Sequence, residues 1–151
     1  MSISNDLGPI FADSLAEVVS TVSGITLRVL PSEHDTGFDE MVGIMCLNGK
    51  DNGTVFISAA EASMRALCSA MIGIPKAEVT RDDMYDTLCE LVNMTAGNAK
   101  LRLTSADCTF TLSVPFLISG ENMAISTKKR ESIISNVLTD GKISLGLKIV
   151  Q

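Results

Sequence analysis

Residues 17–24 read EVVSTVSG and residues 90–97 read ELVNMTAG, so both fit the pattern E-x-V-[S/N]-x-x-x-G. Each stretch is helical in pattern and leads into strand-like sequence, and NGTVFIS in the first half is matched by ENMAIS in the second. An internal repeat of this size constrains the fold more than any single motif, because repeated units bury their apolar sides against one another. The expectation is two related helix-plus-strands units covering most of residues 1–151. They share a single domain, since 151 residues supply one sizeable core and not two.

The remaining elements follow from local signals. A first helix is predicted from about Pro9 to Val22, with Pro9 suited to its first turn and Gly24 ending it. ITLRVL (25–30) alternates as a strand, and SEHDTGFDE (32–40) reads as a loop. MVGIMCLNG and GTVFIS are two strands joined through NGKDNG, whose Asn-Gly pairs favour hairpins. A second helix spans about 59–73 and ends in glycine ahead of Pro75. The third opens at Thr80, where TRDD places Asp83 at the capping-box position. CTFTLSVPF and NMAIST are predicted strands, and ESIISNVLT and KISLGLKIV form a terminal hairpin around Asp140-Gly141. The class is mixed α/β (α+β), rich in antiparallel pairing.

Composition removes several function classes. Apolar residues make up 46% and charged residues 20%, as in a globular domain. The net charge is −6 and the longest basic run is KKR at 128–130, which argues against nucleic acid as a partner. No apolar run reaches membrane-spanning length and the start has no signal-peptide pattern, so a cytoplasmic protein without a membrane partner is expected. Cys46, Cys68, Cys89 and Cys108 show no CxxC pairing and sit in apolar segments, as reduced core thiols do. His34 is the only histidine, which with scattered cysteines argues against a structural zinc site and removes the usual general base. Any chemistry must run on carboxylates, amides or a partner's groups.

The third helix is where such groups collect. Met84, Leu88, Leu91, Val92 and Ala99 trace an apolar stripe, while Asp86, Glu90, Asn93, Gly97 and Lys100 trace another face at three- and four-residue steps. Gly and Asn weaken a helix interior, so the stretch trades stability for something else. Residues three apart on a helix stand about 5–6 Å apart at Cβ. Glu90 would bring a fixed charge, Asn93 a donor and an acceptor on one flat group, and Gly97 a gap for close approach. A carboxylate there can pair with a partner's lysine, and a carboxamide can hold a water in line with a phosphoryl group. Spacing alone also fits a plain solvated face, with Asp82, Asp83 and Lys100 favoured by the helix dipole. Where the second copy has Asn93 the first has Ser20, so Glu17 and Ser20 look like a copy without the amide.

The longer string DDMYDTLCELVNMTAGNAKLRL resembles the signature helix of the CheC/CheX/FliY chemotaxis phosphatase family, its CheX-like branch most closely. The resemblance extends to PIFADSLAEVVSTVSGITLRV and SVPFLISGENMAIS and covers most of residues 9–150 as pattern. It implies a CheC/CheX-like fold, an antiparallel-rich sheet with long helices on one face. It implies a phosphatase acting on the phosphoaspartate of a CheY-like response-regulator receiver domain, in chemotaxis or related two-component signalling. Glu90 is then the anchor for a receiver lysine and Asn93 the residue that orients the attacking water, with Asp86, Gly97 and Lys100 on the partner-binding face. The protein would need no cofactor of its own, Mg²⁺ belonging to the receiver. A homodimer built by edge-strand association is implied too, the terminal hairpin being the candidate edge. A non-catalytic module that docks on receivers or on its own copies is the alternative.

Overall fold

The computed structural model describes residues 4–31, 37–49, 52–103, 110–124 and 133–151. Among them stand three α-helices, α1 (Ser4–Ser23), α2 (Glu61–Ile72) and α3 (Arg81–Leu103). The strands are β1 (Arg28–Pro31), β2 (Met41–Gly49), β3 (Gly53–Ala59), β4 (Phe110–Leu112), β5 (Phe116–Ser119), β6 (Ile133–Thr139) and β7 (Ser144–Val150). They pair antiparallel in the order β1-β6-β7-β3-β2-β4, with β5 also on β2.

That order has the symmetry a duplication requires. The first unit supplies α1, β1, β2 and β3, and the second supplies α3, β4–β5, β6 and β7. The last strands of the two units, β3 and β7, pair at the centre. Each unit's outer strand crosses to the other unit, β1 pairing β6 and β4–β5 pairing β2. The helices cross over as well: α1 packs on β6 and β7, and α3 on β2 and β3. Neither half can close its own core, so the two must fold as one body.

Strand alternation decides which face the helices cover. Val55, Ile57 and Ala59 of β3, and Leu145, Leu147 and Ile149 of β7, join one buried cluster with Phe11, Leu15 and Val19 of α1 and Met84, Leu88 and Leu91 of α3. The intervening residues Val42, Ile44 and Phe56 face the other way, under Phe38 and Met123. All three helices lie on the first face. At Gly43 of β2 the helix layer comes closest, since a Cβ there would fall 2.5 Å from Val92 Cγ2 and 3.1 Å from Leu88 Cγ.

Four expectations change. The first helix begins at Ser4, so Pro9 lies inside it and not in its first turn. CTFTLSVPF is not one strand: Leu112 pairs with Leu47 and Phe116 with Ile44, which leaves one residue more on this strand than on β2. Pro115 has no N–H to give to the ladder, and pairing in the bulge runs through Ser113, whose N–H donates to the Cys46 carbonyl at 3.0 Å and whose Oγ accepts the Cys46 N–H at 2.8 Å. The start of NMAIST, residues 122–124, is not strand, and 125–127 lie outside the described residues. The terminal hairpin is interior, β7 lying between β6 and β3 and β6 between β1 and β7, so it is no edge for association. Among the described strands the edges are β1 and β4–β5. The Asp140-Gly141 turn itself forms as expected, with Asp140 Oδ1 accepting from the Lys142 and Ile143 amides at 2.8 and 2.7 Å and Gly141 at φ 93°. Those two bonds hold the Asp140 carboxyl below its ordinary pKa.

Candidate functional site

Helix α3 starts where its sequence says it should. Thr80 Oγ1 accepts the Asp83 amide at 3.1 Å, and Asp83 Oδ2 accepts the Thr80 amide at 2.9 Å, a reciprocal capping box. Hydrogen bonding from the Thr80 backbone amide, and then from its side chain, lowers the Asp83 pKa. Met84, Leu88, Leu91, Val92 and Ala99 are all buried, so the predicted stripe is the one that meets the sheet. Tyr85 Oη lies 3.1 Å from Ser119 Oγ and ties the first turns to β5.

The opposite face is open. Asp86, Glu90 and Asn93 are exposed, and Gly97 and Lys100 are half-buried. Glu90 makes no ion pair among the described residues. A Cβ on Gly97 would meet nothing within 4 Å, so packing gives no reason for glycine there. Cys89 lies beside Glu90 in the chain and is partly covered. Burial raises its pKa and the Asp86 carboxylate adds to the effect, which keeps the thiol protonated at neutral pH and leaves the ridge without a thiolate nucleophile.

Two of the hollows among the described residues lie elsewhere and carry polar groups. One of about 570 Å³ opens on the helix-free side of the sheet between Phe38, Ser58, Ser144 and Lys148. There Lys148 Nζ donates to the Gly37 carbonyl at 3.0 Å and sits 4.6 Å from the centre of the Phe38 ring. The other, about 330 Å³, lies between Glu40, Glu61, Arg81 and Ser119. Neither Glu90 nor Asn93 lines either of them. A convex ridge cannot enclose a small substrate, so a pocket for the reacting group would have to come from a partner. Among the described residues no group of three or more His, Cys, Asp or Glu is placed to hold a metal. His34 and Cys108 lie outside the described residues, as does the KKR run. Of the other cysteines Cys68 is buried while Cys46 and Cys89 are partly exposed, and all three are free. No described helix is long and apolar enough to cross a membrane.

The echo on α1 is geometrically faithful. Asp13, Glu17 and Ser20 are exposed at the spacing of Asp86, Glu90 and Asn93. Their surroundings differ, because Glu17 is ion-paired with Arg102 of α3. Arg102 Nε also donates to Asn98 Oδ1 at 2.9 Å. No sequence signal joins Glu17 to Arg102, since only the fold brings α1 against the end of α3. Leu101 is the residue that sequence reasoning passed over: it is 75% exposed and continues the step from Gly97 along the ridge. The signal was present, an apolar residue on the face where every other step is polar or glycine.

The chain is thus an antiparallel sheet of two crossed units with one long helix presenting an open Glu-x-x-Asn face. Residues 41–138 match the family described as chemotaxis phosphatase CheX, about two thirds of the chain, and the chain belongs to that family. No curated protein matches the sequence. Among solved structures it is similar to a CheC-like superfamily protein from Shewanella sp. PV-4, with TM-score 0.84 and 22% identity over 99% of this chain and 98% of that one. It is similar to the chemotaxis protein CheX from Vibrio vulnificus, with TM-score 0.84 and 21% identity over 96% and 98%. A CheX–CheY–BeF₃–Mg²⁺ complex from Borrelia burgdorferi has TM-score 0.80 and 20% identity over 94% and 95%.

Proposed function

We propose that this protein hydrolyses the phosphoaspartate of a CheY-like receiver domain, with Glu90 as the anchor and Asn93 as the group that orients the attacking water. The observation that carries the reading is the exposure of both side chains on one face of α3, with no ion pair to Glu90 among the described residues. Family membership supports phosphatase activity, and the Borrelia complex supports a receiver as partner.

The chemistry asks little of this chain. Water attacks phosphorus as the bond to the aspartyl oxygen breaks, giving inorganic phosphate and a free carboxylate, with the water's proton leaving on phosphate. A carboxylate leaves readily, its conjugate acid having a pKa of about 3.9, so no general acid is required. The barrier falls by alignment and by charge held in place. Asn93 offers an acceptor to the water and a donor to a phosphoryl oxygen. Glu90 pairs with a receiver lysine and fixes the register, and Mg²⁺ resides in the receiver's acidic pocket. Asp86, Gly97 and Lys100 lie along the docking face, where Gly97 admits close approach.

Phosphate release from a phosphorylated receiver tests the reading. Asn93→Ala lowers kcat about a hundredfold with little change in KM. Glu90→Ala raises KM about tenfold. If parent and both variants release phosphate at equal rates, the mechanism is wrong. If all three bind a phosphorylated receiver equally and none turns it over, the chain is a docking module.

We also propose a homodimer through the β4–β5 edge. Val114, Phe116 and Ile118 there are 83%, 47% and 47% exposed, a stripe of apolar side chains on an edge. Sedimentation at micromolar concentration should give twice the chain mass, and Phe116→Glu should halve it.

A further inference from the structure

The two copies of the motif end differently. On α1, Gly24 adopts a left-handed φ of 76° and its amide closes on the Ser20 carbonyl at 2.9 Å, so the helix stops. On α3 the matching Gly97 stays helical, and the helix runs on through residues 98–103 to Leu103. That extension belongs only to the copy that has the asparagine. Its inner side is ordinary, with Ala99 and Leu103 buried. Its outer side is not, for Leu101 is 75% exposed against 47% for Ile72, the other exposed large apolar residue on a helix among the described residues.

Leu101 follows Glu90 by eleven residues, Asn93 by eight and Gly97 by four, so all four side-chain positions fall on one helical face. At 1.5 Å per residue, Leu101 stands about 12 Å along the axis from Asn93. A partner interface of about 800 Å² per side extends further than that, so a body seated on Asn93 also covers Leu101. The last turn is braced as well. Arg102 reaches Glu17 on α1 and is steadied by Asn98. Glu17, the counterpart of Glu90 in the copy without the amide, serves here as a strut.

We infer that Leu101 is an apolar anchor for the same receiver that meets Glu90 and Asn93, entering an apolar hollow on that receiver's surface. Gly97 is the notch between the reacting end and the anchor, and the Glu17–Arg102 pair positions the turn that presents it. The inference rests on the phosphatase reading of Glu90 and Asn93.

The test uses the full chain with receiver domains from the same genome, phosphorylated by acetyl phosphate and Mg²⁺, and follows the receiver that is turned over. Leu101→Ser should raise KM about tenfold or more with kcat unchanged. Leu101→Met should stay close to the parent. Arg102→Gln should raise KM about twofold to threefold. Thermal midpoints for the Leu101 variants should match the parent, because an exposed leucine stabilises little. A parent that hydrolyses while Leu101→Ser keeps its KM within twofold overturns the anchor alone, as does a loss confined to kcat. A parent that neither hydrolyses any phosphorylated receiver nor binds a beryllofluoride-loaded one overturns the functional reading and the anchor with it.

Discussion

Helices α1 and α3 are the same device built twice, and the protein uses them differently. Both are long, both lie across the other unit's strands, and both expose an Asp, a Glu and a polar residue at matching spacing. On α1 the carboxylate Glu17 is held by Arg102, the amide is replaced by Ser20, and the helix ends at Gly24. On α3 Glu90 makes no ion pair among the described residues, the amide is present and the helix continues. A scaffold can therefore repeat the outline of a ridge without repeating its groups, and outline alone does not make a site. The sharpest way to break the comparison is to give α1 its missing group. Ser20→Asn in an Asn93→Ala background should remain about a hundredfold below the parent in phosphate release, because Glu17 is already engaged by Arg102. Recovery to within tenfold of the parent would show that α1 is a working site and that the ion pair is no obstacle.

The helices also reach the sheet by different routes. Under α3 the strand gives way: Gly43 lacks the Cβ that would strike Val92 and Leu88, both fully buried. Under α1 the helix gives way: a Cβ on Gly8 would fall 2.6 Å from Ile134 Cγ2. Gly43→Ala should cost about 2 kcal/mol, because two packed side chains have nowhere to move. Gly8→Ala should cost less than about 1 kcal/mol, since the gain in helix propensity offsets part of the clash and Ile134 is only partly buried. Urea unfolding with unchanged m-values checks both. Equal costs would mean that the two helices are seated alike after all.

Much of this was written locally enough to read. The capping box at Thr80, the α3 stripe, the glycine ending α2 and the Asp140-Gly141 turn each depend on residues within a few positions of one another, and all formed as expected. What failed in the sheet depended on pairing. The bulge at 113–115 exists because Pro115 meets β2 with one residue in excess, and register against a distant strand is not visible in CTFTLSVPF. The terminal hairpin was correct as a hairpin and wrong as an edge, because its neighbours β1 and β3 lie far away in sequence. Exposure of Glu90 and Asn93 could be anticipated from the stripe behind them. The engagement of Glu17 could not, since Arg102 is 85 positions away.

Gly97 separates folding from function with the smallest change. It lies inside α3 with helical neighbours on both sides and open space where a Cβ would stand. Nothing in the fold needs glycine there, and glycine in a helix interior costs about 0.5–1 kcal/mol relative to alanine. Gly97→Ala should therefore raise stability by about that amount, and Gly97→Leu should also fold at least as stably as the parent. If the ridge receives a receiver's backbone at this notch, Gly97→Leu should lose most of its affinity for the phosphorylated receiver while unfolding at higher urea. A leucine variant that binds and hydrolyses like the parent would mean that the partner never approaches this turn, and docking would then have to be sought nearer the Asp86 end of the helix.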